Sequence, residues 1–418
     1  MQVLFTNIKE LVGTHNPLQP LRGKQLNVLP SIKDAYLLVN ELGYIDSFGS
    51  INNLPTIHET TTQIIDCNNG YILPCYCDSH THIVYAGSRE NEFVQKINGA
   101  TYATIAASGG GIINSALLLQ QTTEANLYET ALQRIKEVIA LGTGAIEIKS
   151  GYGLTVAAEL KMLRVIKKLK ETVAIPIKAT YLAHTFPTEY KQQTDEYITL
   201  IIETLLPTIH TEQLADYIDV FCENDFFTVA QLEQIMVAAA QYNVPCKIHT
   251  NQLNSIGGLQ KAIALNAISV DHLETMTEQD CTDLGNSNTI GTLLPTAAYY
   301  LRMPYQPAQQ LINANAALAI ASDYNPGSSP SGNMNMVVSM SCIQLKMLPE
   351  AAINAATING AFAMQVQHMV GSITVGKLAN LILTKPIPSL AYMPYSFGTN
   401  HIQGVYIKGV LQTTNNLY

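Results

Sequence analysis

The chain has 418 residues, of which 47% are hydrophobic and 13% are charged, and its formal net charge is −9. This balance excludes a disordered chain, and the length predicts one large domain together with a smaller one. The acidic charge, without any Lys/Arg-rich run, argues against nucleic acid or an anionic membrane as a partner. Seven cysteines without CxxC pairs, and no signal-peptide pattern, predict a cytoplasmic protein with reduced thiols.

Both ends of the chain have the pattern of short strands. Residues 36–40, 44–48 and 63–67 are β-like runs separated by Gly and Asn clusters, and residues 371–383 and 404–410 are similar runs. Two β-rich ends around a long middle predict a small β-sandwich domain that is formed by residues 1–72 together with 371–418.

The middle of the chain, residues 73–370, alternates predicted strands with predicted helices. The strands are expected at 73–78, 145–149, 177–183, 217–222, 245–249, 268–271, 289–294 and 317–322. This rhythm over about 250 residues predicts an α/β fold of the (β/α)₈ TIM-barrel type, with an open doubly wound sheet as the alternative. The wide gap at 83–144 predicts a long loop with its own helix, which would form part of a lid.

Polar side chains follow the C-terminal ends of most of these strands, and such ends meet at one face of a barrel. They are His80, His82, Lys149, Tyr152, His184, Glu223, His249, Gln252, His272, Asp323 and Asn325. On an extended strand His80 and His82 point to the same side, which suits two ligands of one metal. Two histidines at this spacing, taken alone, more often have a structural role. His249 and Asp323, however, complete a set of donors that suits Zn²⁺ or Fe²⁺.

Four stretches of the sequence resemble the imidazolonepropionase family of the amidohydrolase superfamily. They are HTHIVYAGSRE at 80–90, EIKSGYG at 147–153, DVFCE at 219–223 and SDYNPGS at 322–328. Residues 72–82 also resemble the entry strand of the superfamily, and residues 371–383 resemble its C-terminal β-sandwich signature. The similarity spans the whole chain, and the Ser-Arg-Glu and Lys-Ser-Gly-Tyr-Gly pieces are not general to the superfamily.

The resemblance implies an enzyme of histidine degradation that hydrolyses the ring amide C–N bond of 4-imidazolone-5-propanoate to N-formimidoyl-L-glutamate. It implies one divalent metal per chain, Zn²⁺ or iron (Fe²⁺/Fe³⁺), with the ligands His80, His82, His249 and Asp323. His272 and Asp323 would be the catalytic residues. The substrate would be held by Arg89, Tyr152, His184, Gln252, Asn325, Gly327 and Ser328. A homodimer is the expected assembly.

Two other functions stay open. A guanine or cytosine deaminase of the same superfamily would share the metal site, but it would not need Arg89 for a carboxylate. A metal-binding protein that has lost its chemistry would belong to a different class. The presence of His272 and Asp323 argues against it, because a structural zinc site fills all four positions and needs no proton carrier.

Two further residues carry specific expectations. Gln252 stands where some members of the family have Glu, and an amide cannot take up a proton at neutral pH, so Gln252 is not expected to be the general base. Lys149 is expected to be a charge in the barrel interior that pairs with Glu147 or Glu223.

Strand four ends at Glu223 without a lysine, so the carbamylated lysine that bridges two metals elsewhere in the superfamily is absent.

Overall fold

The computed structural model describes residues 1–57, 59–99 and 110–412. Strands β1 to β16 are Gln2–Val12, Ser31–Val39, Ile45–Ser50, Thr62–Asp66, Tyr71–Pro74, Tyr76–Thr81, Thr143–Lys149, Ile177–Ala183, Tyr217–Cys222, Cys246–Thr250, Ser269–His272, Ile290–Leu293, Ala317–Ile320, Leu381–Thr384, Ile402–Ile407 and Val410–Gln412. The α-helices are Glu90–Ile97, Gly111–Gln121, Glu124–Ala140, Val156–Thr172, Thr194–Leu200, Leu206–Glu212, Val229–Ala240, Gly258–Ala264, Glu278–Gly285, Pro295–Leu301, Ala308–Asn313, Met334–Ile343, Pro349–Ala356, Ile358–Ala363 and Tyr392–Tyr395. Within these ranges, no helix combines the length and the apolar character that crossing a membrane requires.

Strands β6 to β13 are parallel and follow one another in chain order around a barrel, which confirms the predicted (β/α)₈ fold. The segment after β13 closes the barrel against β6. The N–H of Asp323 donates to the carbonyl of His80 at 3.0 Å. The carboxylate of Asp78 accepts from the backbone N–H and the hydroxyl of Ser322 at 3.0 and 2.6 Å. These contacts place Asp323 beside His80.

The two ends of the chain meet in a second sheet of eight strands. Its order is β16-β15-β14-β5-β1-β2-β3, and β4 pairs with β1. Phe5 and Tyr406 pack edge to face in its core with ring centroids 4.8 Å apart, and Leu37 and Leu381 are buried in the same cluster. The expected small β domain therefore does combine both termini.

The predicted strand at 73–78 is divided between the two sheets. β5, Tyr71–Pro74, pairs with β1 and β14 of the terminal sheet, and β6, Tyr76–Thr81, opens the barrel. All residues from 71 to 81 are buried, so burial continues without interruption through the junction. The terminal sheet thus extends two residues beyond the boundary expected at residue 72, and the change of sheet cannot be read from composition.

The segment between the first two barrel strands holds more helix than expected. It contains Glu90–Ile97, Gly111–Gln121 and Glu124–Ala140, where the sequence predicted one helix. The carboxylate of Glu92 accepts the N–H of Gly111 at 2.8 Å and so ties the first two of these helices together. Residues 100–109 lie outside the described part, and the lid stays a prediction.

The barrel interior contains a layer of five charged side chains that are fully buried: Glu147, Lys149, Asp219, Lys247 and Asp271. Lys149 Nζ lies 2.8 Å from Glu147, 2.7 Å from Asp219 and 3.5 Å from Asp271. Lys247 forms a second ion pair with Glu147. Of the two partners predicted for Lys149, the structure selects Glu147. Burial opposes the charge of Lys149, but its carboxylate neighbours, Asp219 first, raise its pKa above the ordinary value.

The first prediction concerns the junction of the two sheets. Asn380 Nδ2 donates to the carbonyl of Gly144 at 2.9 Å, and its Oδ1 accepts from the N–H of Lys408 at 3.0 Å. Asn380→Leu leaves both backbone groups unpaired at a cost of about 1–3 kcal/mol each, so the thermal midpoint should fall clearly. Gln133→Leu, which removes an exposed bond to Glu137, is the control. Equal midpoints for both variants and the wild type would contradict this role of Asn380.

The second prediction concerns the charged layer. Lys149→Met removes the cation shared by three buried carboxylates, and breaking such a buried group should destabilise the fold by about 3–5 kcal/mol. Denaturant unfolding measures this loss. Arg164→Met removes an exposed cation that pairs with Glu212, and it should change stability little. A Lys149→Met protein as stable as the Arg164→Met control would show that the layer does not need this lysine.

Candidate metal centre and substrate cavity

The imidazoles of His80 and His82 point their Nε2 atoms at each other. His80 Nδ1 lies 2.7 Å from Asp271 Oδ2, and His82 Nδ1 lies 3.4 Å from the carbonyl oxygen of Ser150. A carboxylate and a carbonyl only accept hydrogen bonds, so each Nδ1 carries the hydrogen and each Nε2 presents a lone pair. Burial lowers the pKa of both rings well below the ordinary value, so neither is protonated. Two lone pairs 3.3 Å apart repel each other unless a cation lies between them.

The carboxylate of Asp323 faces the same point. Its Oδ1 lies 3.5 Å from His80 Nε2 and 3.6 Å from His82 Nε2. Donors held roughly 2.1 Å from a tetrahedral zinc ion are about 3.4 Å apart, so these three fit one metal ion. The ring of His249 lies 4.5 Å from that of His80, and its Nδ1 is 2.9 Å from Asp219 Oδ2, within ion-pair distance although not aligned as a hydrogen bond. The structure therefore brings the four predicted ligands together.

His272 lies beside these donors. One of its ring nitrogens is within 4.8 Å of a ring nitrogen of His80. Behind it, Glu274 Oε1 lies 3.5 Å from Nδ1 and accepts from Gln306 Nε2 at 2.9 Å. Burial opposes a charge on His272, but the carboxylates, Glu274 first, raise its pKa above the ordinary value. A φ of 92° places its backbone in a strained region, as is common for residues that a functional site holds in position.

A cavity of about 450 Å³ opens next to the metal donors. It is lined by all seven residues predicted to hold the substrate, Arg89, Tyr152, His184, Gln252, Asn325, Gly327 and Ser328, together with apolar side chains such as Phe221 and Leu301. The ring of His82 lies 5.7 Å from that of Tyr152 and 6.2 Å from that of His184. The candidate metal ligands thus lie directly beside residues that line the cavity. The candidate ligands together with His272 are called the floor of the site, and the residues that line the cavity are called its wall.

Two buried glutamates hold the loops that carry Tyr152 and Gln252. The carboxylate of Glu159, in the first turn of the helix Val156–Thr172, accepts the N–H groups of residues 151, 153 and 154 at 2.7–2.8 Å. Glu223, directly after β9, accepts the N–H groups of residues 253 and 254 at 2.9 and 3.1 Å. Each carboxylate accepts backbone N–H groups that would otherwise donate to water. It thereby holds the loop, and with it the side chain of Tyr152 or Gln252, in position.

The turn after β13 is fixed in a similar way. Asn325 Oδ1 accepts the N–H groups of Gly327 and Ser328, both at 2.8 Å, and its Nδ2 donates to the carbonyl of Asp323 at 2.7 Å. The Ser328 hydroxyl donates to Asp323 Oδ2 at 3.1 Å. The turn therefore holds Oδ2 of Asp323, while Oδ1 of the same carboxylate faces the histidines.

Several residues that position the site could not be recognised from the sequence pattern. Asp219 and Asp271 stand behind two of the predicted ligands, Glu274 stands behind His272, and Glu159 holds the loop of Tyr152. The available signal was an acidic residue inside or just after an apolar strand, as at Asp219 and Asp271. That signal does not say which distant side chain the carboxylate faces.

Solved structures of low sequence identity share the fold. E. coli guanine deaminase superposes with a TM-score of 0.72 at 14% identity, and the match covers 98% of each chain. An adenosine deaminase from Xanthomonas campestris, solved with bound zinc, superposes with a TM-score of 0.68 at 16% identity and covers 99% of this chain and 93% of that one. At such identities the likeness concerns the fold alone.

Sequence relatives are much more similar. The amidohydrolase family model matches residues 71–411. The imidazolonepropionase of Christiangramia forsetii is 51% identical over 413 residues, which cover 98% of this chain and 100% of the relative. That of Flavobacterium johnsoniae is 53% identical over 411 residues, which cover 98% and 99%. This chain belongs to the amidohydrolase family and, within it, to the imidazolonepropionases.

Proposed function

We propose that this protein hydrolyses the ring amide bond of 4-imidazolone-5-propanoate and yields N-formimidoyl-L-glutamate, a step of histidine degradation. The observation that carries the proposal is the convergence of His80 Nε2, His82 Nε2 and Asp323 Oδ1 at one point, beside a cavity whose wall contains Arg89. The floor suits a hydrolytic metal, and the wall offers a cation for the propanoate. These are the two chemical needs of this substrate.

The proposed metal site has one divalent ion, Zn²⁺ or iron, with the ligands His80, His82, His249 and Asp323. A divalent metal in such a site activates water for attack on a carbonyl carbon at neutral pH. Burial, together with the positive charge of Lys149 and the neighbouring imidazoles, lowers the pKa of His80 and His82 well below the ordinary value, so these rings are neutral, as metal ligands must be. Glu223 follows β9 where two-metal members have a bridging lysine, which supports a single ion.

The proton transfers can be assigned to residues of the floor. In the hydrolysis, water adds to the ring carbonyl carbon, the C–N bond breaks, and the nitrogen leaves with a proton. Burial raises the pKa of Asp323 to about 6, and its carboxylate, which faces the proposed metal site, is placed to accept the proton from water. His272, with its raised pKa, is suited to donate the proton to the departing nitrogen. Burial lowers the pKa of His184 to about 4, so it is neutral at pH 7 and can stabilise the oxyanion only as an N–H donor.

The wall residues orient the ring. Gln252 can accept from the ring N–H and donate to the C=O, but it cannot take up a proton. Arg89 offers a planar group of donors that matches a carboxylate. A guanine or cytosine deaminase would act on an uncharged base, for which cationic wall residues have no use. The homodimer and the cytoplasmic location stay predictions from the sequence.

The third prediction tests the function and its metal. The purified protein should remove the imidazolone absorbance of 4-imidazolone-5-propanoate, should release no ammonia from guanine, and should contain one equivalent of divalent metal by elemental analysis. A chelator should abolish the activity, and one equivalent of Zn²⁺ or Fe²⁺ should restore it. His80→Ala should be inactive and metal-poor, whereas His210→Ala, an exposed histidine, should match the wild type. Ammonia release from guanine, or two metal equivalents, would contradict the proposal.

The fourth prediction separates binding from proton transfer. His272→Ala should lower kcat by on the order of 10²–10⁴, the usual contribution of a positioned acid–base group. Gln252→Ala should lose about 1–3 kcal/mol of binding, seen mainly in KM, and Gln252→Glu should be tolerated or mildly harmful. Steady-state kinetics distinguish these effects. If Gln252→Ala loses kcat as heavily as His272→Ala at unchanged KM, the residue at 252 and not His272 governs the proton transfer.

A further inference from the structure

Two cationic side chains line the mouth of the cavity from one helix face. Arg89 directly precedes the helix Glu90–Ile97, and Lys96 lies near its end. Seven residues are two helical turns, so the two side chains project on the same side. Both line the cavity, together with Asn325 and Gly327 of the turn after β13. The propanoate of the substrate therefore meets two cations.

The charge of Arg89 is already compensated within the protein. Its Nε and Nη2 both donate to Glu92 Oε2, at 2.9 and 2.5 Å. The other oxygen of Glu92 accepts the N–H of Gly111 at 2.8 Å, and only 8% of Glu92 is exposed. Glu92 is thus held between two helices and cannot leave the arginine when an anion arrives. Arg89 can orient a carboxylate with its remaining donors, but the pair with Glu92 has no net charge to attract it.

Lys96 has a different environment. Among the described residues it forms no salt bridge, and its Nζ lies 5.8 Å from the ring centroid of Tyr300. Burial, followed by the nearby positive charge of Arg89, lowers the pKa of Lys96 below the ordinary value, while Glu92 opposes this shift. With Lys96 included, Arg89, Glu92 and Lys96 together have one net positive charge. That charge matches a single carboxylate.

We infer that Lys96 is a specificity-determining residue that supplies the net attraction for the carboxylate tail of the substrate, whereas the Arg89–Glu92 pair sets the tail's orientation. The inference rests on the proposed function. It predicts that the enzyme discriminates between imidazolones with an anionic tail and those with an uncharged tail of the same length. Most of this discrimination depends on Lys96.

Kinetics with two substrates test the inference. Lys96→Met keeps the length of the side chain and removes its charge. With 4-imidazolone-5-propanoate its KM should rise about ten- to a hundredfold, the range for one contact with a charged group, at little change in kcat. With the uncharged propanamide analogue, Lys96→Met and the wild type should have similar KM values. Lys96→Arg should retain most of the affinity for the anion, and Lys191→Met, an exposed lysine, is the matched control.

The possible results are distinct. An unchanged KM of Lys96→Met for the anionic substrate overturns the inference while the proposed function stands. An equal rise of KM for both substrates also overturns it, because the lysine then acts through packing at the mouth. A wild-type protein without activity on 4-imidazolone-5-propanoate overturns the proposed function and this inference with it. A rise confined to the anionic substrate, restored by Lys96→Arg, supports the inference.

Discussion

The buried carboxylates of Asp219 and Asp271 impose the constraint on which the rest of the site depends. Each faces an imidazole of the floor, at 2.9 Å for His249 and 2.7 Å for His80, and neither is exposed to solvent. Buried anions of this kind need a cation nearby. Lys149 provides it from the barrel interior, and the hydrogen bond to Asp271 in turn fixes which nitrogen of His80 carries a hydrogen. The charged layer in the barrel interior thus orients the candidate metal ligands.

The floor and the wall are held in position in different ways. The floor is built on strand ends whose backbone is locked by the barrel, and His272 and Asp323 both have positive φ values that the surrounding structure must hold. The wall consists of loops, and buried carboxylates such as Glu159 and Glu223 bind the N–H groups of these loops. Changes in those loops can alter which substrate fits without disturbing the hydrolytic centre.

Charge is arranged in two separate places for two separate purposes. Beneath the floor, three buried carboxylates pair with two lysines, and neutral imidazoles with one further carboxylate face the candidate metal site. At the mouth, Glu92 balances Arg89, and Lys96 leaves one positive charge. A chain with an overall charge of −9 has no general attraction for an anion. The attraction therefore has to be local, where the tail of the substrate binds.

The sequence by itself determined the barrel and the ring of polar residues at its strand ends, because apolar runs, their spacing and the residues that follow them are local features. It also showed that both termini form strands. Only the tertiary structure decided that 73–78 is divided between two sheets, that Lys149 pairs with Glu147, and that Glu92 neutralises Arg89. These outcomes depend on partners from other strands or helices. The free energy of a buried charge depends on the neighbours that compensate it, and sequence spacing does not contain that information.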